Sequence, residues 1–158
     1  MPIDKELFRR VLSNFAAGVT IVTTVDAERR PHGLTATAFT SVSLDPPLVL
    51  VCIDKKAETF AQFAPAGVFA VNFLALDQQD LSQRFAKHGG EKFNGVGWRS
   101  GVLGTPLIDG AIGYVECRIK HAYEGGDHII YVGEIESADA NDAPPLLHFR
   151  QAYRSVTD

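Results

Sequence analysis

Residues 19–25 read VTIVTTV, seven β-branched side chains in a row without a charge. Such side chains are restricted in a helix and pack well on a pleated surface, so the run predicts a buried strand. LVLVCI (48–53) and VFAVNFL (68–74) repeat the signal. Over 113–121, Val115, Cys117 and Ile119 alternate with Glu116, Arg118 and Lys120, which predicts one dry and one wet face. GGDHIIYVGEIES (125–137) is expected to pair with that strand across the turn EGGD. Six or more strands at hairpin spacing, with only short helices between them, predict a mainly β chain: an antiparallel barrel or sandwich with peripheral helices.

The helical signals are brief. Asp4 is placed to cap a helix in which Phe8, Val11, Leu12 and Phe15 recur on one face, with Gly18 as its expected end. A second helix is expected over 57–63, closed by the break at Pro65–Gly67, and a third after Asp77 with Leu81 and Phe85 on one face. DAERR followed by Pro31 predicts a hairpin turn. The stretch 89–104 holds six glycines and predicts a long irregular loop, of the kind that is functional or mobile, here a lid.

The totals exclude several classes of function. A chain of 158 residues with 46% hydrophobic and 22% charged residues is expected to be one globular domain spanning 1–158. A formal charge of −4 gives no basic stripe for nucleic acid. Cys52 and Cys117 stand 65 residues apart with no CxxC spacing, so two reduced core cysteines in a cytoplasmic protein are expected, and no metal site. The N-terminal MPIDKELFRR has no apolar core for a secretory signal, and no apolar run reaches the ~20 residues of a membrane span. There is no G-x-S-x-G elbow, and GVGWRSG (95–101) displaces the third glycine of a dinucleotide fingerprint.

Residues 33–45, GLTATAFTSVSLD, carry five hydroxyls and no charge before Asp45. If 34–44 is extended, Thr35, Thr37, Phe39, Ser41 and Ser43 share one face. Leu34, Ala36, Ala38, Thr40, Val42 and Leu44 then share the other, as core. The hydroxyl face suits a flat ligand with polar edges, because hydroxyls and backbone N–H groups satisfy it without burying charges. A solvent-facing strand is the competing reading, since Thr and Ser are ordinary there. Beyond LVLVCI, the cation pair Lys55-Lys56 precedes a helix start, an arrangement that favours an anion; a solvated charged turn remains the alternative.

FAAGVTIVTT, GLTATAFTSVSLDPPLVLVCI, FAVNFLA, GGDHIIYVGEI and PLLHFRQAYR, in this order and spacing, resemble the flavin reductase family. These are the short-chain NAD(P)H:flavin oxidoreductases of two-component flavin-dependent monooxygenases, and the resemblance runs from about Phe8 to Arg154. It implies a split β-barrel that binds FMN or FAD, takes NADH or NADPH as hydride donor, forms a homodimer and passes reduced flavin to a monooxygenase. It implies that Thr35, Ala36, Thr37 and Ala38 lie along the flavin ring and that Ser41, Val42 and Ser43 continue towards the ribityl chain. Cys52, Ile53, Asp54 and Lys55 would pass beside the flavin, with Lys55 and Thr59 near the phosphate and Arg84 and Phe85 closing over it. His128, assigned to catalysis, would meet the nicotinamide with Gly33, Phe149 and Tyr153.

The chain departs from the family where Ala38 replaces a common Asn and Ala57 or Glu58 replaces a turn Ser. The exact phosphate ligands, and with them the choice between FMN and FAD, are therefore open. Glu58 is expected to point away from a phosphate, and Asp127 either orients His128 or only shapes the turn. A His121, His128, His148 metal site is not expected, because no carboxylate or cysteine stands at ligand spacing. With no clear basic pocket for a 2′-phosphate, NADH is the expected donor. Rival functions are a flavoprotein that holds FMN for electron transfer or sensing, and a direct oxidase of the pyridoxamine-phosphate-oxidase-like type.

Overall fold

The computed structural model describes residues 2–157. The chain runs α1 (Lys5–Leu12), β1 (Ala17–Gly18), β2 (Thr20–Val25), β3 (Pro31–Ala36), β4 (Phe39–Ser43), β5 (Leu48–Asp54), α2 (Phe60–Ala66) and β6 (Val68–Phe73). A 3₁₀ turn (Leu76–Gln78) leads into α3 (Gln79–Phe85). Then come β7 (Trp98–Ser100), β8 (Pro106–Ile108), β9 (Gly113–Gly125), β10 (His128–Ala140), β11 (Leu147–Phe149) and β12 (Ala152–Arg154).

Seven strands form one sheet in the order β3-β2-β6-β9-β10-β5-β4, antiparallel throughout. β3 and β4 are its two edges, yet only Thr37 and Ala38 separate them in the chain. Three Cα steps span at most about 11 Å, so the sheet has to curl until its edges nearly meet. Ala38 marks the crossing: its carbonyl accepts from Cys52 N of β5 at 3.0 Å. The result is a barrel left open along one seam.

Val22, Val51, Ile53, Phe69, Val71, Cys117 and Tyr131 come from five adjacent strands of this sheet and meet in one buried cluster on its inner face. Phe63 of α2 is fully buried in it and stacks on Tyr131 at 5.5 Å. Burial pushes the Cys117 thiol up to about 12, so it is an inert core residue. A second cluster, with Ile21, Leu74, Phe85, Ile108 and Leu146, lies on the other side of β2. β2 therefore faces core on both sides, which accounts for its uncharged sequence. Its buried threonines are satisfied: Thr20, Thr23 and Thr24 donate to the carbonyls of Ala36, Pro106 and Val68 at 2.6, 2.6 and 2.8 Å.

Several local expectations are corrected. α1 starts at Asp4, whose side chain accepts from Leu7 N at 2.8 Å, but it ends at Ser13 rather than Gly18. Its apolar face is exposed. α2 begins at Phe60 and carries Pro65 next to its last residue, and Gly67 (φ 67°) ends it. Asp77 lies inside the 3₁₀ turn, whose start is capped by the Gln78 side chain accepting from Ala75 N at 2.9 Å, and α3 itself has no side-chain cap.

Glu116 is not on a wet face. It is completely buried, because 101–105 folds over it: its carboxylate accepts from Val102 N, Leu103 N, Thr105 N and Thr105 Oγ1 at 2.9, 2.8, 3.3 and 2.7 Å. The glycine-rich segment is accordingly not one irregular loop, since it contains β7, paired with β8.

Candidate active site

The stretch 34–44 is two strands and not one, and the break inverts the expected faces. Leu34 and Ala36 face the core, and after the two-residue crossing so does Phe39, which meets Phe73 edge-on at 5.2 Å. Ala38, Thr40, Val42 and Leu44 are exposed instead of core, and Val42 sits at a register shift between Ser41 and Ser43. Thr37 and Ser41 are also exposed, whereas Ser43 is half-buried. The uncharged stretch thus presents a surface along the barrel seam.

At one end of that surface lies a cavity of about 260 Å³ between β3, the end of β5, the start of α2 and the segment after α3. It brings together Thr35, Asp54, Thr59 and Phe85 from the sequence reading, and adds Lys56, Lys87, His88 and Lys92. Thr35 is held by its own hydrogen bond to the Ser82 carbonyl at 2.5 Å. The same serine's hydroxyl meets Tyr153 Oη at 2.8 Å, so the C-terminal hairpin is tied to α3 behind the cavity. Thr59 is buried and turns its hydroxyl inward to the Gly33 carbonyl at 3.1 Å, so it does not cap α2. Gly33 is tightly packed: a Cβ there would stand 3.0 Å from the Phe85 ring, which would have to shift to admit it.

Other expected residues have different neighbours. Lys55 turns away from the cavity and binds Glu124 Oε2 at 2.5 Å and the Gly126 carbonyl at 2.9 Å. Lys56 lines the cavity in its place. Asp54 Oδ1 accepts from Lys56 N at 2.8 Å and shapes this turn. Ile53 is fully buried and Cys52 is half-buried, with its thiol pushed up by desolvation. Arg84 donates to the carbonyls of Glu91 and Asn94, which fastens the loop that follows. Phe85 is buried edge-on to Phe93 at 4.9 Å. Glu58 spends both carboxylate oxygens on Gly89 N, at 2.9 and 3.0 Å.

His128 opens β10, directly across from Asp54, and its Nδ1 lies 2.7 Å from Asp127 Oδ1. That hydrogen bond holds the Asp127 carboxyl below its usual range. Phe149 is half-buried under the Arg150 guanidinium, 4.9 Å from its ring centre. His121 stacks on Tyr123 and His148 meets Tyr153 edge-on; among the described residues no three His, Cys, Asp or Glu side chains gather as a metal site would need. No helix among the described residues is long and apolar enough to cross a membrane.

Sequence reasoning missed Lys92, which reaches the cavity from the glycine-rich loop. Its signal was a lone cation just after Gly89-Gly90, legible only once the loop's path is known. It also missed Asp26, whose carboxylate gathers His32 Nε2 at 3.0 Å and Arg30 Nε at 2.8 Å at the β2–β3 turn.

A model of the flavin reductase like domain matches residues 12–157. The chain belongs to the flavin reductase family. It is 44% identical over 142 residues to an NADH-dependent FAD reductase of Streptomyces globisporus, covering 87% of this chain and 77% of that one. It is 37% identical over 155 residues to the HsaB reductase subunit of a flavin-dependent monooxygenase from Rhodococcus jostii, covering 98% and 79%. The solved structure of the Streptomyces globisporus NADH:FAD oxidoreductase SgcE6 with NAD and FAD fragments superposes with a TM-score of 0.92 at 39% identity, covering 98% and 93%. This likeness bears out the split barrel that the resemblance implied and the mainly β chain read from the strand pattern.

Proposed function

We propose that this protein is an NADH-dependent flavin reductase that passes a hydride from nicotinamide to FMN or FAD and supplies reduced flavin to a partner monooxygenase. The observation that carries the reading is the cavity where Thr35, Asp54, Thr59 and Phe85 meet Lys56, Lys87 and Lys92. Uncharged strand residues lead into a basic pocket, which is the donor set that a neutral ring system ending in a phosphate requires. Bound flavin supplies the two-electron acceptor. The protein's part is to hold the two rings in stacking order and keep water out of the contact, at about 3–3.5 Å between reacting atoms.

Thr37, Ala38 and Ser41 give the ring small neighbours and backbone hydrogen-bonding groups, leaving the opposite ring face open to nicotinamide. His128, steadied by Asp127, is placed to orient the nicotinamide; no general acid or base is needed for the hydride itself. Phe149 and Tyr153 line its approach. Arg84 acts by fastening the loop that carries Lys92.

The exposure of Thr37, Ala38, Ser41 and Val42 in one protomer favours a flavin that enters and leaves over one held permanently. It also favours a homodimer that covers the seam. Phe8, Val11, Leu12 and Phe15 are 53%, 54%, 52% and 80% exposed, and Val42 and Leu44 add to the apolar surface. A cytoplasmic location accords with two unpaired cysteines. The test is steady-state oxidation of NADH and NADPH with riboflavin, FMN and FAD in turn. Turnover of NADH that depends on added flavin is expected; a tightly coloured protein that ignores added flavin would overturn the reading.

A further inference from the structure

The turn between β2 and β3 places an arginine where the backbone favours glycine. Arg29 has φ 66°, in the left-handed region, and its N–H donates to the Asp26 carbonyl at 2.9 Å to close the turn. Glycine and asparagine adopt that conformation readily, whereas a long side chain is strained in it. The guanidinium lies over Gly104, where an added Cβ would fall on Nη2. Among the described residues it has no hydrogen-bond acceptor and no carboxylate partner. A strained backbone that delivers an unpaired cation points to a function for the side chain.

Arg29 lines a cavity of about 350 Å³ that shares no residue with the proposed flavin site. α2 separates the two: Thr59, just before its start, lines the flavin cavity, and Pro65 and Ala66, at its end, line this one. Val25 and Val68, both buried, contribute its apolar base together with Pro65, Ala66 and Leu103. Leu103 is fixed before any ligand arrives, because its N–H donates to the buried Glu116 carboxylate at 2.8 Å. Arg118 of β9, in register with Val68, brings a second guanidinium.

The charges of the lining leave one cation over. Arg118 Nε is paired with Glu136 Oε1 at 2.5 Å. Asp26, the only carboxylate of the lining, is engaged by His32 Nε2 and Arg30 Nε. Arg29 alone is uncompensated, so the site matches a monoanion, and its aliphatic walls match a compact apolar body. A phosphate dianion would bring a second negative charge against Asp26 and Glu136 with no further cation to meet it.

We infer that this cavity binds an organic monocarboxylate with a compact apolar body, its carboxylate held by Arg29 and by the Nη edge of Arg118. The inference stands apart from the flavin reading, since the two cavities have no residue in common.

The test is NMR titration of the nitrogen-15-labelled full-length protein with cyclohexanecarboxylate, cyclohexanecarboxamide, acetate and inorganic phosphate. Cyclohexanecarboxylate should move the amide signals of Val68, Leu103 and Gly104 with a Kd of about 1 mM or below. The amide, which lacks the charge, and acetate, which lacks the apolar body, should each bind at least about tenfold more weakly. Arg29→Gly should weaken the carboxylate by about tenfold and Arg118→Ala by about threefold. Because Arg29→Gly also relieves the left-handed strain, its Tm should equal or exceed that of wild type while binding is lost. A Tm lowered by several degrees in that variant would make the guanidinium a support for Gly104 and overturn its assignment to a ligand. Equal binding of carboxylate and amide, or tighter binding of phosphate, would overturn the match to a monoanion. Unmoved signals at Val68, Leu103 and Gly104, or shifts at Thr35 and Thr59 instead, would remove the site.

Discussion

Asp127 Oδ1 lies 2.7 Å from Nδ1 of the adjacent His128, where the β9–β10 turn delivers the chain to the barrel rim. Because an ionised carboxylate only accepts, the shared proton belongs to His128, and Nε2 of that ring has no hydrogen bond among the described residues. A histidine held in this way is suited to orienting a substrate, and it is only partly covered, with a side-chain exposure of 38%.

His128→Ala should therefore raise the KM for NADH by about tenfold, the size of one lost positioning contact, with flavin affinity nearly unchanged. Asp127→Asn keeps an acceptor but loses the charge, and should raise KM by about threefold. Unchanged KM and kcat in His128→Ala would remove the histidine from the site.

The buried Glu116 supports a prediction on stability. Four donors from 102–105 converge on its carboxylate, and a Cβ at Gly101 would fall onto it, so loop and side chain fit only as a pair. Glu116→Gln puts an amide donor against donors and should cost about 3 kcal/mol. For a chain of this size the Tm should fall by roughly 10 °C. A variant that melts with wild type would show that the loop contributes nothing to holding β9.

Glu116 also shows where the sequence stopped being legible. Strand positions were readable because period-two alternation and β-branched runs follow from backbone geometry. The sheet's closure was readable only as a class. What seals it is a two-residue crossing at Thr37-Ala38, and two residues carry too little pattern to show that the faces swap there. Glu116 looked wet because alternation reports which face a residue points to, not what later folds over that face. Lys55 and Lys56 are adjacent and chemically alike, so only the turn made by Asp54 and Lys56 N decides which one reaches the cavity. Thr35 stood on the hydroxyl face read from alternation, whereas Thr59 and Phe85 came with the resemblance; all three line the cavity, and Lys92 reaches it from a distant loop.

Asp26 gives a dependence on pH. Its side chain is 7% exposed, and the His32 hydrogen bond, with smaller help from Arg30, holds its carboxyl well below the usual range of about 3.9. A depressed folded value stabilises the fold above the unfolded value, and that contribution is lost as pH falls below it. The stability advantage of wild type over Asp26→Asn should then be full at pH 7 and smaller at about pH 3, read as the gap between urea midpoints. A gap that stays constant or widens towards pH 3 would mean that the charge of Asp26 is not what ties the β2–β3 turn.

The exposed face of α1 gives the proposed homodimer its test. Phe8, Val11 and Leu12 follow helical spacing and Phe15 lies just beyond the helix, yet none of the four is buried in the protomer. Covering the exposed part of these four side chains, about half of three of them and most of Phe15, is worth about 1 kcal/mol or more each, so a partner surface over them is favoured. In the proposed homodimer a second copy of this chain is that surface, extended by the seam residues Val42 and Leu44. The double substitution Phe8→Asp with Phe15→Asp places two charges where that contact would be dry. Sedimentation should then find a dimer for wild type and a monomer for the variant, with an unchanged circular dichroism spectrum. A wild-type protein that sediments as a monomer at micromolar concentration would leave the apolar face to some other partner and remove the dimer from the proposal.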